Sequence, residues 1–319
     1  MPELLLLRHG KAYRDAMIED VARPLKDRGK RDAQRVGVWL AQQEIEPDRI
    51  MVSPAECAWV TAEKCCKAMG RGVAGLQRES RLYGAGLEDL VALVTSCEPD
   101  VRCLMLVGHN PGLKQLLRRL VGDEMLNGQG KLLPTAALAH LAFDGDWQAL
   151  AAQGARLVSL QHASQLPDGF PYPDRSGSER RQRPAYYYRQ SAVVPFRVAA
   201  DGIEILIVRS SKNRHWVVPK GIIEPGLSPQ RSAAKEALEE AGVEGEVLER
   251  PLGDYRYPKW GAECLVSVYP MRVDRVLPEA EWRERHRGRQ WVSPATAAAL
   301  LKQLELRDMV TVLAQSLRD

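Results

Sequence analysis

The sequence predicts an α/β protein built from two domains, and three observations indicate that fold class. The chain has 319 residues, about twice the roughly 150 that one domain usually occupies. Between residues 1 and 165, short apolar runs typical of strands alternate with segments of helical periodicity. A polar stretch rich in Pro, Gly and Ser then interrupts the pattern. We therefore expect a first domain at residues 1–165, a linker at 166–187 and a second domain at 188–319.

Composition and charge are those of an ordinary globular protein. Apolar residues make up 45% and charged residues 27% of the chain, and no apolar run reaches the roughly 18 residues of a membrane span. The net charge of +4 is small for this length, so we expect neither a nucleic-acid partner nor a membrane partner. Six scattered cysteines without C-x-x-C spacing predict reduced thiols and a cytoplasmic location. The start, MPELLLLRHG, has no basic segment or cleavage site, which indicates a buried strand and no signal peptide.

The first domain is predicted as an α/β sandwich with a mainly parallel sheet. Strands are expected at Glu3 to Leu7, Arg49 to Val52 and Val101 to Val107, and helices at Gly29 to Gln43 and after Ser53. Ligands in such folds bind at the carboxyl ends of the strands.

Two of these strands are followed by histidines, in Arg8-His9-Gly10 and Gly108-His109-Asn110. We therefore expect Arg8, His9 and His109 to meet at one edge of the sheet. A neutral imidazole can attack phosphorus, and nearby cations offset the charge of a transferring phosphoryl group.

The order of the motifs is informative beyond the histidines themselves. LLLLRHG, Arg23-Pro24-Leu25 with Gly29, Ser53-Pro54 with Thr61, LVGHNPG and Pro134-Thr135-Ala136 follow one another as in the histidine phosphatase superfamily. This half of the chain most resembles the short bacterial phosphohistidine phosphatases of the SixA type. The resemblance implies an α/β/α sandwich, His9 as a nucleophile that becomes phosphorylated, and Arg8 and His109 as phosphate-binding residues. It also implies a protein that carries phosphohistidine as a partner.

One residue of the resemblance is missing. The family's second arginine falls four residues after Ser53, where this chain has Cys57. A thiol cannot replace a bidentate guanidinium, so we expect weakened phosphatase activity, or a domain that only docks a partner. A capping box at Ser53, Pro54 and Glu56 would place Cys57 in the first helical turn, where the helix dipole lowers a thiol pKa; a buried apolar cysteine is the simpler interpretation. Glu79 and Glu88 are weak candidates for the general acid.

The second domain begins with a predicted hairpin, Gln190 to Val198 and Ile203 to Arg209, around Asp201-Gly202. A short strand at Trp216 to Pro219 leads into a glycine-rich turn. Further along we expect strands near Glu246 to Leu248, Cys264 to Tyr269 and Gln290 to Val292, and a final helix from Pro294 onward.

A helix from Pro229 to Ala241 organises this domain. Ser228 is a good N-cap, Pro229 suits the first helical position, and Gly242 suits a left-handed residue after the end. Within the helix, the spacing i, i+3 and i+4 places Glu236, Glu239 and Glu240 on one face. Carboxylate oxygens are the ligands that Mg²⁺ and Mn²⁺ prefer, so the pattern predicts a metal site for phosphoanhydride hydrolysis.

The segment GIIEPGLSPQRSAAKEALEEAGV is similar to the signature of the Nudix hydrolases. The resemblance implies an α/β/α sandwich with a mixed sheet, Mg²⁺ or Mn²⁺ as cofactor, and Glu236, Glu239 and Glu240 as metal ligands or as the base that activates water. Leu227 and Lys235 replace the family's first glutamate and its arginine, so we expect the ion pair between those positions to be lost.

The helix from Pro229 to Ala241 is called the metal helix below. Five basic residues precede it in the sequence, namely Arg209, Lys212, Arg214, His215 and Lys220. We predict that Lys220, Gly221 and Arg214 bind a small-molecule polyphosphate substrate. Glu281 and Glu284 are candidates for a further metal ligand, and the basic run RERHRGR at 283–289 is interpreted as a solvated segment near the substrate.

The function predicted is Mg²⁺-dependent hydrolysis of a phosphoanhydride in a nucleoside polyphosphate, either an oxidised deoxynucleoside triphosphate or a dinucleoside polyphosphate. Two alternatives stay open. One is a phosphohistidine phosphatase whose second domain senses a nucleotide, and the other is a diphosphoinositol polyphosphate hydrolase.

Overall fold

The structure is a computed structural model that describes residues 1–14, 17–128, 130–200 and 202–317. The chain divides into two compact units, Met1–Arg180 and Arg181–Asp319. The division falls inside the segment 166–187 that the sequence predicts as a linker. Each unit is an α/β structure, which confirms the predicted fold class.

A largely parallel sheet forms the centre of the first unit. Within the described residues it has six strands, of which the fifth along the chain runs antiparallel to the other five, and those five run in the same direction. The predicted strands are present, although the third begins two residues later than expected. The strands are β1 (Glu3–Arg8), β2 (Arg49–Val52), β3 (Leu76–Arg78), β4 (Cys103–Gly108), β5 (Leu138–Ala142) and β6 (Arg156–Gln161). Across the sheet they lie in the order β3-β2-β4-β1-β5-β6.

Helices cover both faces of this sheet. Side chains alternate along β1, so Leu4 and Leu6 join an apolar cluster with α3 and α4, while Leu5 and Leu7 join a second cluster with α1 and α2. All four leucines are fully buried, which contributes about 1.5–3 kcal/mol each. The helices are α1 (Asp27–Gln42), α2 (Glu56–Ala68), α3 (Leu87–Thr95), α4 (Gly112–Val121), α5 (Asp123–Leu126) and α6 (Leu150–Gln153).

The chain that follows β6 packs back onto the first unit. Asp168 forms an ion pair with Arg35 of α1, and the Arg175 guanidinium donates to the Ala41 carbonyl at 3.1 Å. Two short strands, β7 (Phe170–Tyr172) and β8 (Glu179–Arg181), pair with each other. Residues 166–180 are therefore attached to helix α1.

A mixed sheet forms the centre of the second unit. In the part of the chain that the structure describes, it contains eight strands: β9 pairs in parallel with β15, and the remaining pairs are antiparallel. The predicted hairpin is present, with Gly202 opposite Ala199, and Asp201 lies outside the described residues. The strands are β9 (Arg189–Ala199), β10 (Gly202–Arg209), β11 (Trp216–Val217), β12 (Lys220–Ile222), β13 (Val243–Val247), β14 (Gly253–Lys259), β15 (Ala262–Val276) and β16 (Arg289–Val292).

Helices lie on both faces of the second sheet. On one face α7 (Pro229–Glu236) and the turn that continues it pack through Ala233, Ala237 and Ala241, whose small side chains allow close approach to the strands. On the other face lie α8 (Pro294–Leu300) and α9 (Leu304–Ser316), into which the predicted final helix divides. Among the described residues, we find no helix with both the length and the apolar content to span a bilayer.

Candidate active sites

The two histidines of the first unit meet because their strands are neighbours. Arg8 at the end of β1 is aligned with Gly108 at the end of β4, so His9 and His109 lie side by side, with ring centroids 5.0 Å apart. Both line a cavity of about 440 Å³. The charged residues described in its lining are the cations Arg8, Lys11, Arg14 and Arg23 and the anion Asp20. Such a lining favours an anionic ligand.

Close backbone packing holds His9 in place. A Cβ on Gly10 would lie 2.6 Å from the Gly29 carbonyl oxygen, so the first turn of α1 presses directly against the loop after β1. The Gly10 N–H also donates to Thr61 Oγ1 at 2.9 Å. The His9 Nδ1 atom lies 2.8 Å from the Gly10 carbonyl oxygen. Because a carbonyl only accepts, Nδ1 carries the hydrogen, and Nε2 of the neutral ring keeps its lone pair.

Burial keeps both histidines neutral. It lowers the pKa of His9 to about 4, with a further contribution from the charge that His109 would carry. Burial also lowers the pKa of His109, whose Nε2 lies 2.8 Å from Ser53 Oγ. The sequence-predicted residues Arg8, His9 and His109 are thus brought together, with a ring nitrogen of His9 free to act as a nucleophile.

The environment of Cys57 agrees with a buried apolar cysteine and not with a thiol whose pKa is lowered by the helix dipole. Cys57 lies in the first turn of α2 as expected, but the predicted capping box is wrong, because Ser53 Oγ contacts His109 and the helix starts after Ala55. The thiol is fully buried against Ala12, Leu25 and Ala55. Burial raises the pKa of Cys57, so desolvation outweighs the helix dipole that was expected to lower it.

Two charged residues of this pocket were missed as site residues. Arg23 lines the cavity, and its charge lowers the pKa of His9, His109 and Cys57. Asp20 pairs with Arg23 at 2.6 Å and accepts from the Tyr83 hydroxyl at 3.1 Å. The signal for Arg23 was present, since Arg23-Pro24-Leu25 belongs to the recognised motifs.

The candidate acids proposed from the sequence lie elsewhere. Glu79 caps a short 3-10 helix and binds the Arg81 guanidinium at 2.8 Å. Glu88 lies in the first turn of α3 and is not among the residues that line the cavity. Asp20 is the carboxylate described in the lining, and the sequence offered no motif that marks it.

We expect the His9 imidazole of chelator-treated protein to titrate with a midpoint near its pKa of about 4. Because the folded state binds fewer protons than the unfolded state between that pKa and the usual value of 6.5, neutral His9 stabilises the fold above pH 6.5, and this contribution is lost as pH falls towards 4. Nuclear magnetic resonance of the imidazole protons, with His9→Gln for assignment, measures the midpoint. A midpoint near 6.5 would contradict the buried environment described here.

In the second unit the metal helix begins and ends as predicted, but it is not an α-helix throughout. Ser228 Oγ accepts from the Arg231 N–H at 3.2 Å, and Gly242 has the left-handed φ of 61°. The α-helical pattern ends at Glu236, and residues Ala237–Ala241 form a π-helical turn. This wider turn changes the angular spacing between Glu236 and the later glutamates. The prediction of a single α-helix from Pro229 to Ala241 is therefore wrong.

Glu236 is half-buried beside a glycine. A Cβ on Gly221 would lie 1.9 Å from Glu236 Oε1, so the carboxylate occupies space that any other residue would fill. Partial burial, together with the negative charges of Glu240 and Glu239, raises the pKa of Glu236 to about 7. In the described part of the chain, no side chain donates a hydrogen bond to this carboxylate. Its charge is thus only weakly compensated.

Cations compensate the two other carboxylates. Glu240 accepts from the Lys220 backbone N–H at 3.1 Å and from Arg287 Nη1 at 2.5 Å. Arg287 is 4% exposed, so part of the basic run 283–289 is buried, which corrects its interpretation as solvated. Arg283 approaches Glu239 more loosely, at 3.9 Å.

The late-loop glutamates separate in the structure. Glu284 lies near the metal helix, since it shares Arg287 Nη1 with Glu240 at 3.0 Å. Glu281 instead lies 3.6 Å from the Arg275 guanidinium. Of the two, Glu284 is therefore the one close to the carboxylates.

The ion pair expected to be lost is present in another form. Lys235 Nζ binds Glu224 Oε1 at 2.8 Å, so the glutamate comes from three residues before Leu227. Leu227 cannot pair with Lys235, as expected, but the turn 222–228 folds back far enough for Glu224 to reach Lys235 instead. The pair links the turn to α7 in the way that the motif arginine was expected to do.

The predicted phosphate-binding residues are placed differently from one another. Lys220 Nζ donates to the Tyr257 hydroxyl at 3.0 Å, and burial lowers its pKa. Gly221 lies against Glu236. Arg214 is exposed in the turn between β10 and β11, where its backbone N–H donates to Ser210 Oγ at 3.1 Å. Lys220 and Gly221 therefore adjoin the carboxylates, and Arg214 lies on the surface.

The residues present fit a divalent cation. The half-buried Glu236 carboxylate has a raised pKa and lies next to two further carboxylates, so a hard cation that takes oxygen ligands would relieve their uncompensated negative charge. Gly221 leaves the space into which the carboxylate projects. Glu236, Glu239 and Glu240 are accordingly the residues that would hold Mg²⁺ or Mn²⁺.

We expect Gly221→Ala to weaken divalent-metal binding strongly, by about 10-fold or more, because the new methyl group must displace the Glu236 carboxylate. Isothermal titration with Mn²⁺ measures the change. Gly75→Ala is the matched control, since a Cβ there meets nothing within 4 Å. Equal Mn²⁺ affinity of Gly221→Ala and the unmodified protein would show that Glu236 does not bind the ion.

Comparison with known proteins agrees with both halves of this description. The NUDIX domain matches residues 188–313, and the histidine phosphatase superfamily (branch 1) matches residues 4–83. Nudix hydrolase 21 (chloroplastic) of Arabidopsis thaliana is 31% identical over 144 residues, which are 42% of this chain and 70% of the relative.

The second unit has a mixed sheet and, after a glycine-containing turn, a capped helix that carries three glutamates. These features and the matching family define it as a phosphoanhydride hydrolase domain of the Nudix type. The chain belongs to the Nudix hydrolase family and joins that domain to an N-terminal histidine phosphatase domain.

Two further similarities concern one domain each. The asymmetrical bis(5'-nucleosyl)-tetraphosphatase of Sus scrofa is 28% identical and aligns with 37% of this chain and 82% of its own length. A solved structure of the protein histidine phosphatase SixA with tungstate is 21% identical, aligns with 51% of this chain and 98% of its own, and has a TM-score of 0.42.

Proposed function

We propose that the second unit is a Mg²⁺- or Mn²⁺-dependent hydrolase that cleaves a phosphoanhydride in a nucleoside polyphosphate. The observation that carries the proposal is the half-buried Glu236 carboxylate, which lies against Gly221 and close to Glu240 and has no side-chain hydrogen-bond donor among the described residues. Oxidised deoxynucleoside triphosphates and dinucleoside polyphosphates are the leading substrates. The name of the Sus scrofa relative, a bis(5'-nucleosyl)-tetraphosphatase, supports the second of these.

Each site residue has a defined task in this proposal. The ion supplies Lewis-acid polarisation of phosphate oxygens and a more acidic water when it is bound. Glu236, with a pKa of about 7 before the ion binds, can take up or release a proton near neutral pH. Lys220 and Gly221 border the carboxylates and bind phosphate oxygens, and Arg214 contacts the far end of an extended polyphosphate.

A diphosphoinositol polyphosphate is the alternative substrate, because the run VVPKGIIEPG resembles the branch of the family that handles such compounds. Both classes present several phosphates to the cations around β10 and β11. Product analysis separates them, since only the nucleotide substrates yield a nucleoside phosphate.

We place the reaction in the cytoplasm. The six cysteines of the chain are all free and buried, which supports a protein that folds without disulfides.

The main test is Glu236→Gln in the full-length protein, assayed with Mg²⁺ on a panel of dinucleoside polyphosphates, oxidised nucleoside triphosphates and diphosphoinositol polyphosphates. We expect hydrolysis to fall by about 100-fold or more, because the amide carries no charge for the metal. Glu240→Gln is expected to act in the same way, with an added loss of stability because the buried Arg287 keeps only Glu284 of its two carboxylate partners.

Glu244→Gln is the matched control, since Glu244 follows the metal helix but pairs with Arg275 at 2.9 Å. Circular dichroism of each variant shows that it is folded. Wild-type rates for Glu236→Gln on every substrate of the panel would rule out the carboxylate helix as the active site.

A second activity, phosphohistidine phosphatase, is favoured by the cationic cavity around His9. Its neutral Nε2 is suited to attack on phosphorus, and Arg8, Arg23 and His109 lie around the cavity to bind phosphate oxygens. Cys57 still offers no charge at the place of the missing arginine. We therefore propose that the first unit contributes a weaker activity than the second, or binds a partner without turnover.

We expect Cys57→Arg to raise phosphatase turnover by about 100-fold, because single transition-state donors contribute about that much. A phosphohistidine carrier protein is the substrate, and His9→Ala should abolish its dephosphorylation without changing phosphoanhydride hydrolysis. Cys66→Ser, another buried cysteine of α2, is the control. If Cys57→Arg adds nothing to an already fast unmodified protein, Arg23 supplies the missing charge.

A further inference from the structure

The phosphatase-like pocket contains a second constellation that catalysis of phosphate transfer does not require. His9, Cys57 and His109 each offer one ligand atom, a ring nitrogen or the sulfur, and these three atoms lie within 4.8 Å of one another. These three atoms are close enough to one another to hold one metal ion. We propose that His9, Cys57 and His109 form a binding site for a thiophilic transition-metal ion of the Zn²⁺ class.

The donor set suits that class of ion. Imidazole nitrogen and thiolate sulfur are the preferred ligands of Zn²⁺, and three protein ligands with one open position are typical of sites that keep a water or an anion. The three side chains come from different elements, His9 after β1, His109 after β4 and Cys57 in α2. The substitution of arginine by Cys57 therefore supplies the one soft ligand that the two histidines lack.

Hydrogen bonds already orient the rings as in a metal site. His9 donates through Nδ1 to the Gly10 carbonyl, which leaves Nε2 available, and backbone carbonyls commonly hold metal-binding histidines in this way. Ser53 Oγ lies 2.8 Å from His109 Nε2 and restrains the second ring. Cys57 is fully buried, and its sulfur already lies within 4.8 Å of a ring nitrogen of each histidine, so little rearrangement of the backbone is needed for the sulfur to bind.

The surrounding charge limits the affinity but does not exclude a cation. Arg8, Arg14 and Arg23 repel a dication, whereas the Cys57 thiolate and the Asp20 carboxylate attract it. Arg23 is already paired with Asp20 at 2.6 Å. On binding, the Cys57 thiol releases its proton to solvent, and the sulfur and the two nitrogens each donate a lone pair to the ion. The open position faces a cationic cavity and so favours an anion such as phosphate.

Occupancy of this site excludes phosphohistidine formation at His9, because the ring nitrogen that would attack phosphorus is bound to the metal. The first unit would then act as a metal-dependent anion-binding domain. This inference is independent of the activity proposed for the second unit.

The test uses Co²⁺ as a spectroscopic stand-in for Zn²⁺ in the full-length protein, in excess Mg²⁺ to occupy the carboxylate site. A thiolate ligand to Co²⁺ gives a charge-transfer absorption in the near ultraviolet, which carboxylate ligands do not give. We expect this band to saturate at one Co²⁺ per chain and to disappear on addition of one equivalent of Zn²⁺.

Variants assign the band. Cys57→Ser and His109→Gln should each lose it and weaken Zn²⁺ binding by about 100-fold or more, while Cys66→Ser and Glu240→Gln should keep it. Cys57→Ala serves as a second variant if the serine impairs folding, and circular dichroism checks each protein. Absence of the band in the unmodified protein, or its persistence in Cys57→Ser, overturns the proposal.

Discussion

Both sites depend on one constraint, which is that two ionisable groups of the same kind lie next to each other and are partly or fully shielded from water. In the second unit Glu236 is removed from water while it faces Glu240, and in the first unit His9 is removed from water while it faces His109. Removing a charged group from water is costly unless the group is neutral or paired. The histidines remain neutral, and Glu240 is paired with Arg287. Glu236 has no such partner among the described residues, which is why we propose it as the centre of the metal site.

The fold was largely predictable because its signals are local. Four consecutive leucines before His9 can be buried only on a strand covered on both faces, and β1 has that environment. Ser228 and Gly242 mark the ends of the metal helix through hydrogen bonding and backbone conformation, which depend on neighbouring residues alone.

The details of the sites were less predictable because they depend on distant partners. No propensity distinguishes the π turn at Ala237–Ala241 from a continuing α-helix, since its residues suit either. The pairing of Lys235 with Glu224 requires the path of the turn, and the burial of Arg287 requires the position of a loop almost fifty residues after the helix. Arg23 and Asp20 converge on the histidines only when the chain has folded around α1.

The two candidate sites differ in the sign of the charge that they present to a phosphate group. The first offers a cationic cavity in which Arg8 and Arg23 can neutralise an anion directly. The second offers carboxylates, which need a metal ion as intermediary. Cys57 lies where the first site has lost a cation, and the same residue gives that pocket the soft donor of a metal site. One substitution thus moves the first unit from direct neutralisation towards metal-mediated binding.

Arg287 gives the metal site of the second unit an internal counter-ion. The buried guanidinium binds both Glu240 and Glu284, and its Nε atom donates to the Arg209 carbonyl at 2.7 Å. A divalent ion that binds Glu240 therefore competes with the Arg287 guanidinium for the same carboxylate. The free energy of metal binding then includes the cost of displacing that guanidinium. The loop that carries Arg287 is therefore coupled to metal binding. The site can distinguish ions by how well each replaces a guanidinium as well as by size.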